Sequence, residues 1–333
     1  MQRRRRASGI FAGAICSLAL VGAQAFAQGW KPDQSVELIV TCSPGCGPDR
    51  MVRLMQRTFQ SRQLIEPSSV VQNKAGGGGA VAHIYLNQFP TSGHHLIHTG
   101  KVVLAAQAVG RTVASYTQLT PIANLFTEYI GIAVRADSPI QSGRDLIARL
   151  RKDPASVSFG IATSLGNTNH QGIAGPMKAA GVDIRKMRNV VFNSGALATT
   201  AMLGGHVDAV PVSVGSWQPL MKAGKVRVIG VTSPERLPGD YAEIPTWREQ
   251  GANVVVSNWR AIFGPKQMRP EQVAYWENVF RQLLESPEWK AEMTRVNGTT
   301  DFMPAARFRK YIDEDYAPVE AFLVDLGLAT RQR

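Results

Sequence analysis

With 333 residues, 37 Lys+Arg against 25 Asp+Glu and a formal charge of +12, the chain is long enough for one large core or two domains. Three cysteines are too few for a disulfide-built scaffold. The basic residues are spread along the chain and match no recognition module, which argues against a nucleic-acid partner.

Residues 1–27 read as an export signal: basic "MQRRRRASG", apolar "IFAGAICSLALVGA", then "AFA" before a cut expected after Ala27. Cys16, preceded by Ala14 and Ile15, makes a poor lipoprotein site, and the arginine cluster leaves Sec and twin-arginine export both open. No later run approaches the roughly 20 apolar residues of a membrane span. Cleavage removes Arg3 to Arg6 and leaves about 306 residues at a charge of +8, expected in the periplasm.

After the signal, short apolar runs alternate with amphipathic ones, the pattern of α/β layering. "VELIV" (36–40) reads as a strand, "DRMVRLMQRTFQSR" (49–62) as a helix, and "SSVVQN" as a second strand. A glycine loop and the helical "AVAHIYLNQF" follow, then the strands "HLIHT" and "IGIAVRAD". Ser142 suits the N-cap of "SGRDLIARLRKDP". The strands "VSFGIA" and "NVVF" each lead through small residues into a helix, and the last 65 residues are mostly helical. Four strand–loop–helix units therefore carry small-residue loops at 42–49, 75–80, 163–170 and 193–197. Helix starts at the carboxyl ends of strands present unpaired N–H groups, so together the loops suggest one anion site. No acid occurs from Pro67 to Thr127, while Lys74, Lys101 and Arg111 do, which favours a positive potential there.

Other chemistry fits less well. Gly77, Gly79 and Ala82 spell G-x-G-x-x-A, but the acid needed about 20 positions later is missing, and no Gly-Lys-Ser/Thr follows for a P-loop. His94, His95 and His98 lack a nearby acid as a supporting partner, so surface or partly buried histidines are expected rather than a metal site. "ATSLG" (162–166) is one glycine short of a nucleophile elbow; a hydrolase using Ser164 would have to recruit Asp183 and His206. Cys42 and Cys46 do not have C-x-x-C spacing; they either pair locally or remain two free thiols.

Taken in order, "SPGCGPDRMVR", "NKAGGGGAVA", "GIAVRADSP", "FNSGALATTAMLGGHVDAV" and "GKVRVIGVTSPERLPGDYAEIPTWREQG" resemble the periplasmic receptors of tripartite tricarboxylate transporters, the TctC/Bug family, over residues 30–330. Within it, "KMRNVVF", "GHVDAV" and "ERLP…IPT…EQG" look closest to the branch that takes citrate-like tricarboxylates. The resemblance implies a type II periplasmic-binding-protein fold: two α/β lobes joined by two crossing strands, with the ligand cleft between them. Lobe 1 is expected to be discontinuous over 28–130 and 237–333, and lobe 2 to span 131–236.

It implies a non-enzymatic receptor, without cofactor or metal and monomeric. Such a receptor captures a small di- or tricarboxylate, citrate-like by preference, and delivers it to the membrane components of the transporter. The alternatives are the Ser164 hydrolase and a sensor presenting a metabolite to a membrane kinase. Carried over as ligand-binding are Ser43, Pro44, Gly45, Cys46, Gly47 and Asp49 of the first loop, with Asp49 expected to structure the loop. The second loop adds Gly77, Gly78 and Gly79, and the third Ser164, Gly166, Asn167 and Thr168. The fourth adds Asn193, Ser194 and Gly195. Three departures from the family pattern stand out. Cys46 replaces a glycine, so a positive φ there would be strained. Pro48 removes an N–H donor. Asn193 and Ser194 stand where relatives often carry other residues.

Overall fold

The computed structural model describes residues 29–110 and 115–329, so the export signal read at 1–27 lies outside the described residues. The chain alternates strands and helices from β1 (Val36–Val40), α1 (Gly47–Ser61), β2 (Ser69–Asn73) and α2 (Ala80–Leu86) to β3 (His95–Gly100) and α3 (Val102–Ala108). β4 (Leu119–Arg135) then leads to α4 (Gly143–Lys152), β5 (Ser158–Ala162), α5 (Thr168–Ala179), β6 (Arg188–Phe192) and α6 (Gly195–Leu203). β7 (Ala209–Ser213), α7 (Gln218–Lys222) and β8 (Val226–Val231) precede β9 (Ser257–Pro265). The chain closes with α8 (Pro270–Glu285), α9 (Pro287–Val296), β10 (Thr299–Pro304) and α10 (Ala305–Asp325).

β4 belongs to two sheets. Its first half pairs antiparallel with β9 and β10, and β9 continues through β3 to the parallel strands β1 and β2. Its second half is flanked by β7 and β8, with β5 and β6 beyond β7. This 17-residue strand is longer than the expected "IGIAVRAD", because its first half is as apolar as its second and both halves are buried. Beside it the returning chain is tied at Thr232, whose buried hydroxyl accepts from the Ile130 N–H (3.0 Å) and donates to the Val256 carbonyl (2.7 Å).

Met51, Met55 and Phe59 of α1, four residues apart, make one buried face; Phe59 lies 5.8 Å from the ring of Phe280 on α8. Full burial of each such side chain stabilises by roughly 1.5–3 kcal/mol. α10 spans both sheets. Asp315 near its middle pairs with Lys101 (2.7 Å) and accepts from the Trp259 indole (2.9 Å), whereas its end is held by Lys178 and by Arg185, which donates to the Asp325 carbonyl at 2.7 Å. A second contact between the halves is glycine-dependent: a Cβ on Gly215 would collide with the backbone of Val296. The carboxyl ends of β1, β2, β5, β6 and β7 converge on the cleft between the sheets.

Candidate functional site

The cleft holds a cavity of about 490 Å³. All four small-residue loops reach it, but not with all the residues expected. Gly45, Cys46 and Gly47 line it from the first loop, and Gly78 and Gly79 from the second. Asn167 and Thr168 line it from the third, and Ser194 and Gly195 from the fourth. Ser43, Pro44, Asp49, Gly77, Ser164, Gly166 and Asn193 stand behind this lining or beside it.

The first loop is built to be rigid. The buried Asp49 carboxylate accepts from the Gly45 N–H (2.8 Å), from Asn73 at the end of β2 (2.9 Å) and from Arg53 (3.1 Å). Burial alone would raise its pKa; the Gly45, Arg53 and Asn73 donors outweigh that and hold it below the usual carboxylate range. Cys42 and Cys46 are joined as a disulfide, their Cα atoms 6.5 Å apart. Cys46 itself has φ −68°, and the positive φ falls on Gly45 (+81°), so the cysteine fits where a glycine is usual without backbone strain. Cys46 caps α1, accepting the Asp49 N–H on Sγ, and Pro48 sits in the first turn, where a missing N–H is tolerated. The helix therefore starts two residues before the expected Asp49. The second loop needs its glycines: Gly76 to Gly79 all have positive φ, 126°, 58°, 66° and 103°.

The third and fourth loops are simpler. The Asn167 side chain caps α5 by accepting from the His170 N–H (3.0 Å), and the Ser194 hydroxyl caps α6 by accepting from the Leu197 N–H (3.2 Å). Each cap consumes the third amide of its helix. The first two amides, Thr168 and Asn169 in α5 and Gly195 and Ala196 in α6, have no intrahelical partner, and all four residues line the cavity. In α1 the comparable pair is Gly47 and a proline, so one amide remains there. Gly166 lies against Leu323 of α10, and its N–H donates to His170 Nδ1 (2.9 Å), so it supports the loop from behind.

Sequence reading missed the cavity floor. Glu128 on β4 lies opposite Asn258 on β9 and near the end of β7. Its Oε1 accepts from Ser213 (2.6 Å), Asn258 (3.0 Å) and Arg260 (2.7 Å). His98 lines the same cavity; it is fully buried and both ring nitrogens lack a partner, unlike the surface or partly buried histidine expected. Burial, with the Arg260 charge beside it, pushes its pKa down to about 3. The one available signal was Glu128 itself, the first acid after the acid-free stretch and set in an apolar strand, where a buried charge needs partners.

The cations also differ from expectation. Lys74 lies over the Tyr85 ring (4.0 Å) and Lys101 pairs with Asp315, so neither lines the cavity, and Arg111 lies outside the described residues. The lining arginines are Arg50, Arg260 and Arg295. The last two are paired with Glu128 and Glu292, whereas Arg50 bonds a carbonyl, that of Gly45 (2.8 Å), which leaves the lining one cation in excess. With the helix starts, the cavity favours an anion.

The hydrolase residues are not brought together. Ser164 borders a small gap beside Gly78 and Val102, Asp183 caps a turn through the Arg185 N–H, and His206 is exposed after α6. Among the described residues no group of three or more His, Cys, Asp or Glu could hold a metal, and no helix is long and apolar enough to cross a membrane.

Comparison with known proteins agrees with this architecture. A protein encoded in the gbd 5′ region of Cupriavidus necator is 24% identical over 336 residues, covering 100% of both chains. Among solved structures, R. palustris Rpa4515 with adipate has a TM-score of 0.81 at 22% identity, covering 90% of this chain and 99% of that one. MatC from Rhodopseudomonas palustris with bound malate has a TM-score of 0.74 at 20% identity, covering 87% and 99%. The chain thus shares the fold of these two structures. Residues 51–328 match the model of the tripartite tricarboxylate transporter family receptor, TctC, and the chain belongs to that family of solute-binding receptors, which are not enzymes.

Proposed function

We propose that the mature protein is a periplasmic receptor that captures a small di- or tricarboxylate in the cleft and delivers it to the membrane components of a tripartite transporter. The observation that carries this reading is the set of four unspent amides at the starts of α5 and α6, all on one cavity whose lining has a cation in excess. Amide donors to a carboxylate form charge-assisted hydrogen bonds, and the helix starts add favourable potential. The switch of β4 between sheets supports a lobe boundary at 130/131, with ligand contacts from both lobes favouring the closed state.

A thermal-shift screen with citrate, tricarballylate, malate and succinate tests it. A ligand at a hundredfold excess over its Kd stabilises the folded state by about 2.7 kcal/mol, so a carboxylate that binds raises Tm by several degrees. No shift with any of the four would refute the reading.

A further inference from the structure

The third loop is backed from the far end of the chain. α10 stops in a Schellman motif: the Gly327 N–H bonds the Val324 carbonyl (2.9 Å) and the Leu328 N–H bonds the Leu323 carbonyl (2.9 Å), with Gly327 at φ +73°. A stop of this kind folds the residue after the glycine back against the last helical turn, here Leu328 beside Leu323. The two leucines make an apolar pad, and Gly166 seats on it. A Cβ on Gly166 would lie 2.6 Å from one Leu323 methyl and 3.3 Å from one of Leu328. Charge clamps the pad from outside: Arg185 donates to the carbonyls of Val324 (3.2 Å) and Asp325 (2.7 Å), and Lys178 pairs with the Asp325 carboxylate.

Both backbone groups of Gly166 lead from the pad towards the cavity. Its N–H donates to His170 Nδ1 (2.9 Å) and its carbonyl accepts from Gln171 Nε2 (2.9 Å). His170 and Gln171 are buried in the first turn of α5, the turn that carries the unspent Thr168 and Asn169 amides. A displacement of Gly166 therefore passes through two hydrogen bonds to the turn that presents those donors. We propose that the pad of Leu323 and Leu328 is a positioning element for the third loop and thereby sets carboxylate affinity, although neither leucine lines the cavity. Only the effect on affinity rests on the carboxylate-receptor reading above. Asp315 fixes the middle of α10 to Lys101 and Trp259 beside the first sheet, so the pad ties a binding loop of the second sheet to the body of the first. Gly195 of the fourth loop rests instead on Val212 of β7, within its own sheet. Shortening a pad leucine leaves a space into which the loop behind it relaxes, because packed surroundings close only partly over a deleted group.

The test uses Leu328→Ala, Leu328→Met as its conservative counterpart, and Val279→Ala in α8 as a core truncation outside the cavity lining. Amide ¹⁵N–¹H spectra of the free protein come first. In Leu328→Ala the Gly166, Thr168 and Asn169 amides are expected to shift while Gly195 and Ala196 of α6 stay in place, and Leu328→Met is expected to restore them. Calorimetric titrations with citrate and with malate are expected to show binding about tenfold weaker in Leu328→Ala, within about threefold of the wild type in Leu328→Met, and unchanged in Val279→Ala. Should Leu328→Ala fail to fold, the exposed pair Lys178→Ala with Arg185→Ala releases the clamp and is expected to move the same three amides. A shift of Gly166 with Thr168 and Asn169 unmoved would overturn the positioning role, as would an affinity loss in Val279→Ala equal to that in Leu328→Ala. If neither acid binds the wild type, the carboxylate reading is wrong, and the spectra of the free protein still decide the pad.

Discussion

Helix α1 opens with Gly47, Pro48 and an Asp49 amide already engaged by Cys46, whereas α5 and α6 each open with two unengaged amides. Both arrangements turn a strand end into a helix start beside the same cavity. The first spends its polar groups internally: Asp49 gathers Gly45, Asn73 and Arg53, and a disulfide closes the turn. The others use a neutral Asn or Ser for one bond and leave the remaining donors facing the cleft. A loop of strand, small residues and helix therefore does not by itself say whether it holds a ligand or shapes the wall around it. What separates the two is where the cap and the first acid send their hydrogen bonds.

The difference is sharpest in stability. Asp49→Ala leaves three donors without their buried acceptor and is expected to cost about 3 kcal/mol, since hydrogen bonds to a charged group contribute about 1.5–3 kcal/mol. Urea melts check this; a loss below about 1 kcal/mol would mean that the first loop is not held as described.

Buried histidines back both regions. His83 behind the second loop and His170 behind the third are pushed down to about 4 by burial, and His98 at the floor to about 3. With folded values below the unfolded one near 6.5, the unfolded chain takes up protons first. Stability from keeping these rings neutral is complete above about pH 6.5 and is lost as pH falls toward about 4. Between pH 7 and pH 5 each ring contributes up to about 2 kcal/mol of that loss. Denaturant midpoints at the two pH values measure it, and equal stability at both would contradict the buried neutral state.

A smaller effect exchanges the character of the two kinds of loop. Thr168→Pro puts a proline at the first position of α5, after an Asn167 whose φ −68° and ψ 174° suit a following proline, and removes one amide donor. Binding of the preferred carboxylate is expected to weaken about tenfold, or ~1.4 kcal/mol, with the melting temperature of the free protein nearly unchanged. Pro48→Ala restores an amide to α1 and is expected to change affinity by less than about threefold, because the Gly45 and Asp49 amides near it are already engaged and only that of Gly47 stands free beside it. The reverse ranking in calorimetry would assign the anion to the first loop instead.

Much of this was legible in the sequence. The strand-to-helix rhythm, the four loops and the Ser142 cap follow from local patterns of apolar spacing and small residues. The run from Gly76 to Gly79 marked a backbone that needs positive φ, and all four glycines have it. The floor was not legible, because Glu128, Ser213, Asn258 and Arg260 come from three strands up to 132 residues apart. Each looks locally like an ordinary polar residue in a strand, and only the pairing of β4 with β7 and β9 brings them together. The acid-free segment misled for a related reason: Lys101 is neutralised by Asp315, 214 residues away, and Lys74 is covered by the ring of Tyr85.

The central claim is that a carboxylate sits on the unengaged amides of α5 and α6. Amide ¹⁵N–¹H spectra recorded while citrate is titrated in test this directly. The account predicts that Thr168, Asn169, Gly195 and Ala196 shift most, and together at one midpoint. Saturating binding that leaves those four amides unmoved while Gly47 and the first loop shift would contradict it.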